Sequence, residues 1–141
     1  MNSRGLTVME LLVSLSIFAF CLIMGISGFR ALFSQLEISS GLRTVTSALN
    51  MARYQAVAHN RPVRVECGPG RLVLRYVNDA SGRELQSFAL DRQLQLKMNA
   101  IPIFYATGYA YPLCTIEVSN NRHCRRVTLS INGRVRVMSL H

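Results

Sequence analysis

Hydrophobic and polar positions divide the chain into three stretches of different period. From Leu11 to Phe29, 19 residues pass without a charge. At ~1.5 Å per residue, a helix of that length crosses a ~30 Å hydrocarbon layer. Apolar residues then recur at helical spacing at Leu32, Leu36, Leu42, Val45, Leu49, Ala52, Ala56 and Val57. The Ala-rich run "SALNMARYQAVAH" sustains the helix, and Pro62 excludes helical geometry just before it. The pattern predicts one long helix from about Leu6 to about Ala58, with Gly25, Gly28 and Gly41 as points of loosening. Beyond Pro62 the period becomes two. "VRVEC", "RLVLRYV", "LQSFAL", "LQLKM", "IPIFY", "CTIEV", "RRVTLSI" and "RVRVM" are eight candidate strands, several separated by turn residues such as Asn120-Asn121 and Asn132-Gly133. A long helix followed by short alternating strands predicts an α+β fold, the helix packed on an antiparallel sheet.

One acid interrupts this plan. Glu10 stands at the very start of the membrane-length run. A secretory signal has no use for it, and the apolar run is too long for the usual signal core and ends in no clean cleavage site. A plain anchor helix leaves Glu10 equally unexplained, because lipid penalises an unpaired acid.

At "RGLTVMELLVSLSI" the chain resembles the class III signal of type IV pilins and pseudopilins. The resemblance implies that prepilin peptidase cuts after Gly5 and methylates the new amine on Leu6. It also implies that Glu10 is the fifth residue of the mature chain and serves assembly. Leu6 stands where phenylalanine is commonest in the family. In a filament, Glu10 of one subunit can then face the amine of its neighbour. A buried pair of this kind favours one axial register over slipped ones. The expected organisation is a leader over 1–5, a membrane or filament-core helix over 6–29, its amphipathic continuation over 30–60, and a periplasmic β-rich domain over 61–141. The expected location is the inner membrane, then a pilus or pseudopilus.

"ARYQAVAHNRPVRVEC", "FYATGYA" and "CRRVTLSINGRVRV" resemble the GspH/FimT branch of pilin-like proteins. The resemblance implies partnership with other pilins. It also implies one of two roles: a FimT-like minor pilin that binds DNA through a C-terminal GRxR motif, or a GspH-like pseudopilin of type II secretion. Gly133, Arg134, Val135 and Arg136 match GRxR.

Charge bears on that choice. The formal net charge is +9, with 16 basic residues against 7 acids. After Glu117 there is no acid, while Arg122, Arg125, Arg126, Arg134 and Arg136 follow. Guanidinium groups suit phosphate, so these residues with Gly133 form the candidate face for double-stranded DNA. Arginines on a sheet edge also serve solubility alone. No aromatic is interleaved among them, which predicts backbone-directed, sequence-tolerant contact without base stacking. A two-residue Asn132-Gly133 turn would mix apolar and charged side chains on one face. A three-residue loop, Ile131-Asn132-Gly133 with Gly133 left-handed, instead sets Leu129 opposite Val135 and Val127 opposite Val137. Arg126, Thr128, Ser130, Arg134 and Arg136 then share the other face.

The remaining chemistry is sparse. His59, His123 and His141 are scattered with no carboxylate pair or nucleophile beside them, so no catalytic activity and no cofactor is expected. Cys67, Cys114 and Cys124 lack zinc spacing, and Cys21 lies in the apolar run. A Cys114–Cys124 disulfide across the Asn120-Asn121 turn is expected, with Cys67 free and buried; a Cys67–Cys114 bridge is the competing connectivity. Phe104, Tyr105, Tyr109 and Tyr111 read as filling for a small β core.

Overall fold

The computed structural model describes residues 7–79 and 82–139. Gly5 and Leu6, the expected cleavage and methylation residues, lie outside the described residues. Helix α1 spans Val8–Ala58. Thr7 caps its start: the Glu10 amide donates to Thr7 Oγ1 at 3.3 Å, and the Leu11 amide donates to the Thr7 carbonyl. The sequence Thr7-Val8-Met9-Glu10 therefore has the spacing of a capping box, and an acid in the first turn also suits the helix dipole. The Thr7 cap bonds the Glu10 backbone amide, so the carboxylate is left for the pairing expected in a filament. At the other end Asn60 is left-handed, with φ 51°. The Arg61 amide donates to the Ala56 carbonyl and the Asn60 amide to that of Val57, which closes the helix as a Schellman motif.

By its contacts the chain forms two units, one ending at Phe33 and one running from Ser34. In the first, Val8–Gly25 has mean hydropathy 2.3 and none of it is buried, so it is long and apolar enough to span a membrane. Its serines cost little there: Ser14 and Ser16 donate back to the Glu10 and Leu12 carbonyls, each at 2.8 Å.

The second unit holds all the buried apolar residues described. α1 contributes Ile38, Val45, Ala48, Leu49, Ala52 and Ala56 from one face. Among the described residues nine strands follow, one more than the pattern predicts, in two antiparallel sheets rather than one. The first sheet is ordered β3-β2-β1-β5-β6, from β1 (Val63–Gly68), β2 (Arg71–Tyr76), β3 (Glu84–Ala89), β5 (Ile103–Phe104) and β6 (Ala110–Tyr111). The second is ordered β4-β7-β8-β9, from β4 (Gln95–Met98), β7 (Cys114–Ser119), β8 (Cys124–Leu129) and β9 (Val135–Ser139). The extra strand, β6, has only two residues and so shows no alternation to read. Val63, Val65, Leu72, Leu74 and Phe104 from one sheet join Ile116, Val118, Val127 and Leu129 from the other in a single core against α1. The helix continues through Gly25, Gly28 and Gly41. Gly41 is a point of close approach: a Cβ there would lie 3.3 Å from Val118 Cγ1 and nearer still to Leu94.

The expected disulfide is corrected. All four cysteines are free. β7 and β8 pair with Ser119 opposite Cys124 and Cys114 opposite Leu129. Cys114 and Cys124 therefore stand at opposite ends of one hairpin, five residues apart along it, or roughly 17 Å. A disulfide needs Cα atoms within about 7 Å. Cys67 is exposed rather than buried, while Cys114 is buried and donates from Sγ to the Ala100 carbonyl at 3.1 Å. Desolvation of the sulfur pushes the Cys67 thiol up even though the residue is exposed as a whole, and it pushes the Cys114 thiol up against the opposing pull of the Ala100 bond. The folded thiols hold their protons to higher pH than the unfolded chain does, so the stability this contributes is lost as pH rises through the thiol range above about 8.5. In a thiol-labelling experiment Cys67 and Cys124 react in the native protein, and Cys114 reacts only after denaturation. A Cys114–Cys124 peptide in a non-reducing digest would contradict this.

Candidate nucleic-acid interface

The last hairpin is built by residue alternation and one glycine. β8 and β9 pair Leu129 with Val135, Thr128 with Arg136 and Val127 with Val137, the register expected for a three-residue loop. The Ser130 amide donates to the Arg134 carbonyl at 3.0 Å, and the Gly133 amide donates to the Ser130 carbonyl at 2.9 Å. Ser130 Oγ accepts from the Arg134 amide at 3.2 Å. Gly133 has φ +68°. It is also buried, and a Cβ there would stand 2.7 Å from the Gly108 carbonyl oxygen and 3.2 Å from the Arg53 side chain. Left-handed backbone and close approach together require glycine.

Arg134, just before β9, and Arg136, within it, are both exposed and alternate to one face of the hairpin, ~7 Å apart. With Thr128, Ser130 and Asn132 they line a shallow groove of about 420 Å³. Among the described residues no carboxylate lies within ion-pair distance of either. Four other arginines, Arg64, Arg71, Arg75 and Arg126, do have such a partner. On the outer face of the first sheet, Arg64, Arg71 and Arg75 are paired with Glu66 and Glu84.

The structure brings fewer of the expected residues together than the sequence suggests. Arg126 shares the outer face, but its Nη2 and Nε lie 2.7 and 3.2 Å from Glu117 Oε1, so its charge is locally offset. Arg125 alternates to the other face. It lines a crevice with Gln35, Ser39, His123 and Val137 beside α1, so it does not extend the field of Arg134 and Arg136. Arg122 sits in the β7–β8 turn, at the far end of β8, roughly 20 Å from the Ile131-Asn132-Gly133 loop. That turn is pinned to α1: Asn120 Oδ1 accepts from the Arg122 and His123 amides while its Nδ2 donates to Ser34. The site contracts to Arg134 and Arg136, with Gly133 shaping the turn.

Two further groups enter: one that no sequence signal marks, and one expected from the sequence to fill the core. Arg53, from α1, lays its side chain across Gly108 and Gly133, with guanidinium nitrogens 3.4 to 3.5 Å from where a Gly108 Cβ would be. It has no carboxylate partner among the described residues, so it adds a cation beside the loop. The second group is aromatic. The Ala110 amide donates to the Ile131 carbonyl at 2.8 Å, which joins the β5–β6 ribbon to the arginine loop. Tyr105, Tyr109 and Tyr111 on that ribbon are exposed rather than part of the core. Aromatics remote in sequence are therefore carried on a ribbon bonded to the arginine loop.

No family model matches the chain, and no curated protein matches it. Solved structures do. The type IV minor pilin FimU of Pseudomonas aeruginosa strain PAO1 superposes with a TM-score of 0.63 at 20% identity, over 74% of this chain and 90% of that one. The minor pseudopilin EpsH of the type 2 secretion system of Vibrio cholerae superposes with a TM-score of 0.62 at 16% identity, over 73% of this chain and 97% of that one. The α+β, pilin-like fold is thus common to this chain and to both neighbours.

Proposed function

We propose that the chain is a minor pilin of the GspH/FimT type, anchored by its apolar helix before it joins a type IV pilus, and that it binds DNA through Arg134 and Arg136. The pilin-like fold and the exposed Val8–Gly25 span support the filament role. One observation carries the DNA reading: Arg134 and Arg136 stand side by side on an exposed strand face with no carboxylate partner among the described residues. Contact from such a pair goes to phosphates, so it supplies affinity and register but no sequence preference. Prepilin peptidase and neighbouring pilins are the other partners of this reading. A pilus member that holds DNA serves its uptake. The protein does this by binding rather than by catalysis. The DNA part is tested with the full-length chain in detergent micelles and a duplex of arbitrary sequence: salt-sensitive binding is expected. Absence of binding leaves the secretion pseudopilin as the better account.

The charge and the capping-box spacing of Glu10 separate experimentally. Glu10→Gln keeps a capping-box side chain and removes the charge; Glu10→Val removes both. If the carboxylate pairs with the amine of a neighbouring subunit, both variants insert in the membrane and neither enters filaments. Sheared pili probed for the protein give the answer. Filaments containing Glu10→Gln at the wild-type level would contradict pairing of the carboxylate with a neighbouring amine.

A further inference from the structure

We infer that the arginine hairpin and the tyrosine ribbon beside it form one surface for single-stranded DNA, with phosphates on Arg134 and Arg136 and bases stacked on Tyr109 and Tyr111. The inference rests on the DNA reading above and specifies the form of DNA.

The geometry comes from three observations. First, β5 and β6 pair Phe104 with Ala110 and Ile103 with Tyr111, and the Tyr105 amide donates to the Tyr109 carbonyl. Phe104 and Ala110 are buried in the core. By strand alternation Tyr105, Tyr109 and Tyr111 share the opposite face, and they are 42%, 54% and 63% exposed. Second, Val127 and Leu129 are buried in the same core, and Arg134 and Arg136 lie on the face of that hairpin turned away from it. Tyrosines and arginines thus face away from one common core. Third, the two elements touch through the bond from the Ala110 amide to the Ile131 carbonyl and through Gly108 against Gly133. The Cα atoms of Tyr109 and Arg134 are consequently on the order of 10 Å apart, a distance within which one extended nucleotide strand can touch both side chains.

Arginines alone hold duplex and single strand alike. Rings discriminate. In a duplex the base faces are already stacked on one another, and exposing one costs a few kcal/mol. A single strand offers its base faces freely, and stacking on an aromatic tolerates any base. Tyr109 and Tyr111 repeat at ~7 Å, as Arg134 and Arg136 do, so both rows can follow one extended strand. The ribbon also bears no acid that would repel phosphates: residues 99–113 contain none.

The chain has 5 Tyr and no Trp, so its intrinsic fluorescence reports on tyrosines. The experiment uses the full-length chain in detergent micelles, titrated with an oligothymidylate of about 20 nucleotides and with a duplex of the same length. The single strand is expected to bind more tightly and to quench tyrosine emission; the duplex is expected not to quench. Tyr109→Leu with Tyr111→Leu should weaken single-strand binding at least about fivefold per ring and leave duplex affinity and both salt slopes unchanged. Equal affinity for the two forms without quenching overturns the inference and leaves the duplex reading standing. So does unchanged single-strand affinity in the double variant. A parallel loss of duplex binding overturns it too, because the rings then serve the shape of the hairpin. If the variant binds DNA normally but is missing from filaments, the ribbon is a contact between pilins. No binding of either form by the wild type removes the inference and the DNA reading together.

Discussion

Gly133→Val should be the most damaging single substitution in the last hairpin. Two penalties fall on one residue. At φ +68° a side chain meets the left-handed cost of roughly 1–2 kcal/mol, and more for a β-branched residue. Its Cβ would also stand 2.7 Å from a backbone oxygen, that of Gly108, which cannot rotate away like the end of a side chain. Overpacking of this kind costs typically about 1–3 kcal/mol. For a unit of this size the sum lowers the Tm by about 10 °C or more. Gly70 supplies the control: its φ is also +68°, but nothing lies within 4 Å of a Cβ there. Gly70→Val therefore bears the conformational cost alone. Thermal unfolding of the Ser34–His141 unit, which holds every buried apolar residue described, compares the two. Equal losses would show that the close approach to Gly108 has no energetic weight. Because the same turn sets the strand face of Arg134 and Arg136, Gly133→Val should weaken DNA binding as well.

Replacing Arg134 and Arg136 together by Gln should have the largest effect on binding. Each guanidinium that neutralises a phosphate releases about 0.9 of a counterion, which at 0.1 M salt is worth roughly eightfold in affinity. Removing both guanidinium groups weakens binding roughly sixtyfold, equally across sequences, since no base edge is read. Both residues are exposed and unpaired among the described residues, so the fold and its Tm should stay within the range of ordinary surface changes. Arg126→Gln is the informative contrast. It breaks a pair with Glu117 instead of removing a free cation, and it leaves Glu117 as an unpaired acid near the face. A loss for Arg126→Gln as large as that for Arg134→Gln would place the phosphate path across the middle of the sheet.

What the sequence shows of this molecule is what local rules govern. The apolar run, the helix end near Ala58 and eight of the strands follow from period and turn residues. The hairpin register follows from keeping Leu129, Val135, Val127 and Val137 on one side, which only a three-residue loop allows. Some of the rest was readable and is easily missed. Adjacent residues in a strand point opposite ways, so Arg125 and Arg126 cannot both serve one face. Thr7 and Glu10 have capping-box spacing in plain view. In a hairpin the residues equidistant from the turn pair, which sets Cys124 against Ser119 and separates it from Cys114. Other features have no local signature. The meeting of Gly108 with Gly133, the seat this makes for Arg53, and the approach of the tyrosines to the arginines all depend on how two sheets close on one core. Residues 105–111 and 131–136 are remote along the chain, and neither stretch announces the other.

In the proposed function Arg134 and Arg136 hold DNA by its phosphates. The most direct test is the slope of log Kobs against log salt for duplex binding, measured for the full-length protein and for the double Gln variant under identical conditions. A negative slope is expected for the wild type and a slope flatter by about two units for the variant, one unit for each arginine–phosphate pair removed. Identical slopes for the two proteins, or wild-type binding that does not respond to salt, would contradict it.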